Sequence, residues 1–156
     1  VGLKAALRHD PDIIMIGEIR DAETARIAVR AALTGHLILT TMHASDVLGA
    51  VRRLLEFGID KEEAKQTLLG VTSQRLLELH CPFCGGECSP YCLMEKSRGR
   101  VSVHEMIYGN ELAKVWAEME GDDVNFHYPD LSSLISKAVA YGFVDRKEYE
   151  RWVHEE

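Results

Sequence analysis

The stretch Asp10 to Asp21, DPDIIMIGEIRD, and the stretch Thr34 to His43, TGHLILTTMH, decide the fold. The first is an apolar run, Ile13-Ile14-Met15-Ile16, that stops at Gly17-Glu18. A continuous apolar run of that length predicts a central strand of a parallel sheet, covered on both faces. A carboxylate where such a strand runs out faces the crevice in which parallel sheets bind ligands. Asp21 is placed to cap a helix running to about Leu33, and Gly35 to close it in the left-handed C′ position. His36 to Met42, HLILTTM, has the β-branched and apolar content of a second buried strand. Ser45 or Asp46 then opens a helix that reaches about Phe57 and ends at Gly58. Strand, helix, strand, helix is the βαβ alternation of a parallel α/β sheet.

Beyond these elements, Asp60-x-x-Glu63 predicts a capping box for a further helix. Gln74-Arg75-Leu76 reads as a polar pair at the edge of the core. Residues 81–100 are rich in Gly, Pro, Ser and Cys, too polar to pack a core of their own. Arg100 to Ile107 returns to strand composition. Asn110 to Met119 and Asp130 to Tyr141 read as helices, with GDDVNFHYPD between them a surface loop. Asp145-Arg-Lys-Glu148 predicts a capping box on the last helix, and Val144 a staple to Tyr149.

The run DPDIIMIGEIRD, then ETARIAVRAALTGHLILTTMHASD, then LLGVTSQRL resembles the assembly ATPases of type II secretion, type IV pili and competence pseudopili. The likeness covers Leu3 to Leu76 and resumes at Gly99 to Ile107, GRVSVHEMI. It implies an α/β fold: the C-terminal part of a RecA-like P-loop ATPase core, with a zinc knuckle and a small helical C-terminal subdomain. The divisions it implies are 1–80 for the core half with Walker B and His box, 81–99 for a tetracysteine insert, and 100–156 for a strand and helices.

By that resemblance Glu18 is the Walker B acid, holding Mg²⁺ or its water beside the phosphates of ATP. Arg20 completes the G-E-I-R-D signature, and its guanidinium suits either a phosphate or a neighbouring carboxylate. Asp21 is better explained as a helix cap. His36 and His43 bracket the second strand in what resembles the family's His box. Seven residues of extended chain hold them about 23 Å apart at roughly 3.3 Å per residue, so they cannot serve one γ-phosphate. His43 lies at the ligand-facing end and is the candidate phosphate sensor; His36, at the opposite edge, is given a structural or interface role. For Thr40 and Thr41 the plain strand reading is favoured over a phosphate contact. Arg75 is left between a core-edge residue and a subunit contact.

A departure limits what this chain does alone. None of its twelve glycines is followed by Lys, so it has no G-x-x-x-x-G-K-[S/T] phosphate cradle. With no initiator Met at Val1, and Leu3, Ala6 and Leu7 spaced as in a helix, it reads as the C-terminal part of a longer protein.

The four cysteines fall within twelve residues, as Cys81, Cys84, Cys88 and Cys92. The cytosolic context that the resemblance implies favours reduced thiolates on a metal over disulfides. Four thiolates close a tetrahedron around Zn²⁺ at about 2.3 Å, and Gly85-Gly86 gives the turn its freedom. Family members often carry two C-x₂-C pairs; here the second pair is C-x₃-C. An iron–sulfur cluster is the alternative, and His80 is a substitute ligand. Phe83 and Tyr91 would suit a protein contact on such a knuckle.

Composition is that of a globular protein, with 46% hydrophobic and 28% charged residues in 156. A net charge of −7 excludes a chain that coats nucleic acid, so no direct nucleic-acid partner is expected and a zinc-knuckle nucleic-acid binder is disfavoured. The resemblance implies a hexamer that drives competence pseudopilus assembly for DNA uptake. Its expected partner is an inner-membrane platform protein, and its location cytoplasmic, against the inner face of the membrane. Type IV pilus and type II secretion ATPases are the alternative, as is a non-catalytic zinc-stabilised interaction module for the isolated chain.

Overall fold

The computed structural model describes residues 5, 9, 11–81, 84, 99–122 and 126–153. Among the described residues four strands and six helices follow one another: β1 (Ile13–Ile16), α1 (Ala22–Leu33), β2 (Leu37–Thr40), α2 (Val47–Glu56), α3 (Lys61–Thr67), β3 (Gly70–Glu78), β4 (Arg100–Tyr108), α4 (Gly109–Met119), α5 (Leu131–Ala140) and α6 (Arg146–Val153). They fall into two compact units, Val1–Val71 with Ile107–Phe126 and Thr72–Met106 with His127–Glu156. No helix among the described residues is long and apolar enough to cross a membrane.

In the first unit β1 and β2 run parallel, in register from Ile13 opposite Leu37 to Ile16 opposite Thr40. The crossover is α1, which packs on β2 and α3. Its buried stripe is made of small residues, Ala25, Ala28, Val29 and Ala31, which lets the helix lie close to the sheet. Asp21 caps it: Oδ1 accepts from Thr24 N at 2.8 Å and Oδ2 from the Thr24 hydroxyl at 3.0 Å. Both bonds hold the Asp21 carboxyl below its ordinary range, the backbone N–H first. At the other end Thr34 N–H closes onto Arg30 and Ala31 carbonyls, and Gly35 follows at φ 98. α2 buries Val47, Val51 and Leu54, one helical face, behind an Asp46 cap. Asp60 caps α3 by accepting from Glu62 N and Glu63 N.

The sheet departs from expectation on one face. Ile14 is buried, but Ile13 and Met15 on β1 are 57% and 80% exposed, and Leu37 and Leu39 beside them 41% and 49%. Residues paired in a parallel ladder share a face, so these four form one apolar row. Among the described residues β1 pairs only with β2. The central strand covered on both faces is therefore corrected to a strand covered on one.

β3 and β4 form a second two-stranded sheet. Gly70 lies beside Tyr108, and Leu79 N donates to Gly99 O at 3.0 Å, so the strands are antiparallel. β3 is a full nine-residue strand where the sequence suggested only a core edge. The second unit's core is Leu77, Ile135 and Val144, with Val101, Val103, Val139, Tyr149 and Trp152 against it. Full burial of each aliphatic side chain contributes about 1.5–3 kcal/mol. Asp130 caps α5, accepting from the Ser133 hydroxyl and N–H, which lower its pKa in that order. Asp145 Oδ1 accepts from Lys147 N at 2.9 Å, whereas Glu148 accepts from Glu78 N at 3.2 Å. The expected reciprocal capping box is corrected accordingly: Glu148 is 8% exposed and ties α6 to the end of β3.

Candidate functional site

The β1–β2 ladder ends at Ile16 opposite Thr40, and the next residues of both strands build the site. The Thr41 hydroxyl donates to Gly17 O at 2.6 Å, and Ile19 N donates to Thr41 O at 3.0 Å. Glu18 lies between those two anchored residues. Its side chain is 19% exposed, while Arg20 and His43 around it are 76% and 91% exposed.

The two carboxylate oxygens of Glu18 have different surroundings. Oε2 accepts from Arg20 Nε at 2.6 Å and lies 2.6 Å from Nη2. Oε1 is 2.9 Å from His43 Nε2, an ion-pair distance when the ring is protonated. Oε1 is buried and accepts no hydrogen bond from the described residues. Of the two partners that suit Arg20, the carboxylate is the one it touches here. Such an exposed pair contributes at most about 1 kcal/mol to stability, so its role is orientation.

His36 is elsewhere, at the opposite end of β2. Its Nδ1 lies 3.0 Å from Ala31 O and 3.2 Å from the Thr34 hydroxyl, at the C-terminus of α1. Arg75 is half-buried in the second unit, its guanidinium 5.2 Å from the centre of the Trp152 ring and its Nη1 donating to Gln74 O at 2.9 Å. The Thr40 hydroxyl donates to the neighbouring Thr41 O, at 3.3 Å.

Chemically, a buried carboxylate oxygen without a donor suits a hydrated divalent cation, which supplies the missing positive charge and water protons. Glu18 therefore fits Mg²⁺, with His43 beside the same oxygen. For zinc, Cys81 is half-buried and Cys84 exposed. Cys88, Cys92, Phe83 and Tyr91 lie outside the described residues, as do Leu3, Ala6 and Leu7. Among the described residues no three His, Cys, Asp or Glu side chains converge as a metal site. The donor chemistry of four closely spaced cysteines still fits zinc.

Residues 1–151 match the family described as Type II/IV secretion system protein. The competence protein ComGA of Bacillus subtilis (strain 168) is 51% identical over 156 residues, which is 99% of this chain and 44% of that protein. The protein transport protein HofB homolog of Haemophilus influenzae is 41% identical over 150 residues, 96% of this chain and 30% of that one. The chain thus spans less than half the length of these curated relatives. Among solved structures, the Legionella pneumophila ATPase DotB shares the fold at TM-score 0.66 and 24% identity, over 99% of this chain and 42% of its own. The pilus retraction motor PilT with bound ADP aligns at TM-score 0.65 and 26% identity, over 97% and 42%. The α/β architecture is shared with both solved structures, and the chain belongs to the type II/IV secretion system protein family.

Proposed function

We propose that this chain is the C-terminal portion of a hexameric ATPase that powers assembly of a competence pseudopilus for DNA uptake. Residues 1–80 carry half of the nucleotide site, 81–99 a zinc insert, and 100–156 the C-terminal strand and helices. The protein works in the cytoplasm against the inner face of the membrane, on a membrane-embedded platform protein. The likeness to ComGA over nearly the whole chain supports the competence assignment. Type II secretion E proteins at 53% and 54% identity over 83 residues favour secretion as the second reading.

The observation that carries the ATPase reading is the buried, donor-free Oε1 of Glu18 beside His43. Bound Mg²⁺-ATP supplies the phosphoryl group and the charge that offsets its transfer. Glu18 holds the cation's water through Oε1, Arg20 keeps Oε2 turned away, and His43 reads the terminal phosphate. Because the phosphate-binding Lys and its loop have no counterpart in these residues, the 156-residue chain alone binds ATP poorly and does not turn it over. A calorimetric titration with Mg-ATP giving micromolar affinity would refute that.

In the whole protein, Glu18→Gln preserves shape and removes the charge aimed at the cation. Nucleotide binding is expected to persist while turnover falls on the order of 10²–10³-fold. Wild-type turnover in that variant would overturn the assignment.

A further inference from the structure

We propose that Thr41 is the positioning residue of this site, through a clasp of two hydrogen bonds that straddles Glu18. The inference rests on the reading of Glu18 as the metal-directed acid. Past Ile16 the parallel ladder with β2 has ended, so Glu18 would otherwise ride on an unpaired turn. The Thr41 hydroxyl takes Gly17 O at 2.6 Å on one side of it, and Thr41 O takes Ile19 N at 3.0 Å on the other. Peptide planes before and after Glu18 are thereby fixed to a single residue of the neighbouring chain. Ile19 is itself 4% exposed and anchors the far side in the core.

Two residues beyond Thr41 on the same chain stands His43, whose Nε2 is 2.9 Å from Glu18 Oε1. One residue therefore ties together the segments that carry acid and histidine, and its hydroxyl sets their spacing. Strand propensity gives no reason for the hydroxyl, because Val fits an exposed strand end as well. Its hydrogen-bond partner, a carbonyl 24 residues earlier that the ladder does not pair, does give one.

The test compares Thr41→Val, which keeps the shape and removes the donor, with Thr41→Ser, which keeps the donor. In the 156-residue chain, amide hydrogen exchange at Ile19 is read first. Thr41→Val is expected to speed it about tenfold, the loss of roughly one hydrogen bond, and Thr41→Ser by no more than about twofold. In the whole ATPase, Thr41→Val is expected to lower kcat on the order of 10²-fold at unchanged KM for Mg-ATP, with Thr41→Ser recovering most of it. Melting temperatures within about 2–4 °C of wild type separate this from unfolding.

Unchanged exchange in Thr41→Val would overturn the clasp. Unchanged kcat, or Thr41→Ser as impaired as Thr41→Val, would overturn the positioning role. If Glu18→Gln retained turnover, the ATPase reading of Glu18 would fall instead, and the exchange data would still decide the clasp.

Discussion

Replacing Glu148 by Ala is expected to destabilise the second unit by about 2 kcal/mol, because it removes two things at once. The first is the carboxylate acceptor for Glu78 N, 3.2 Å away in a half-buried position. A hydrogen bond to a charged group is worth about 1.5–3 kcal/mol, and partial exposure argues for the lower end. The second is the Cγ methylene, the only one lost because Ala keeps the β-carbon, at about 0.8 kcal/mol in a residue 8% exposed. Arg151, 3.6 Å from Oε1 and well exposed, adds at most about 1 kcal/mol beyond these two. At about 2–4 °C per kcal/mol for a chain of this size, the midpoint of thermal unfolding should fall by about 4–8 °C. Glu148→Gln keeps the oxygen and the stem and loses only the charge, so about 1 kcal/mol and 2–4 °C are expected. Differential scanning calorimetry measures both variants, and amide exchange identifies the bond: protection should drop at Glu78 and persist at Asp145. A Glu148→Ala midpoint within about 1 °C of wild type, or loss of protection at Asp145 in place of Glu78, would refute the cross-link and restore the local capping box.

Acid should loosen both units through their helix caps. Asp21 and Asp130 titrate below their ordinary 3.8 because Thr24 and Ser133 donate to them, so the folded chain binds fewer protons than the unfolded chain. Their stabilisation is complete above 3.8 and is lost as pH falls below it toward the folded values; melting curves across that range should show a shallower decline in the double Asn variant, and parallel declines would sink the idea. His43→Ala should impair hydrolysis in the whole protein with little loss of stability. His36→Ala should do the reverse, at about 1 kcal/mol, since it removes contacts at the end of α1; a larger loss of turnover in His36→Ala would reverse the roles. Protein purified without added metal should carry one zinc per chain on Cys81, Cys84, Cys88 and Cys92, and elemental analysis decides it: zinc near zero with four titratable thiols defeats the site, iron promotes the cluster, and unchanged zinc in Cys88→Ser points to His80.

What was legible in the sequence divides by separation along the chain. Asp21 could be read as a cap because its partner Thr24 is three residues away and the pattern is local. Gly35 and Gly58 could be read as helix ends because only their own backbone angles, φ 98 and φ 79, need explaining. The parallel pairing of β1 and β2 followed from the helix between them. Burial of both faces did not follow: an apolar run reports what a strand can bury, and coverage depends on segments outside it. β3 was missed because two of its four inward positions, Ser73 and Arg75, are polar and mask the period of two. Arg75 is tolerated there by stacking on Trp152, a residue no local pattern connects to it. Glu148 kept the spacing of a capping box and was taken by Glu78, 70 residues earlier. The site divides in the same way. Glu18 and Arg20 stand two residues apart and their pairing was among the readings open from the sequence, whereas Thr41 reaches Gly17 across 24 residues. A threonine at a strand end carries no mark of a clasp until the second strand lies beside the first.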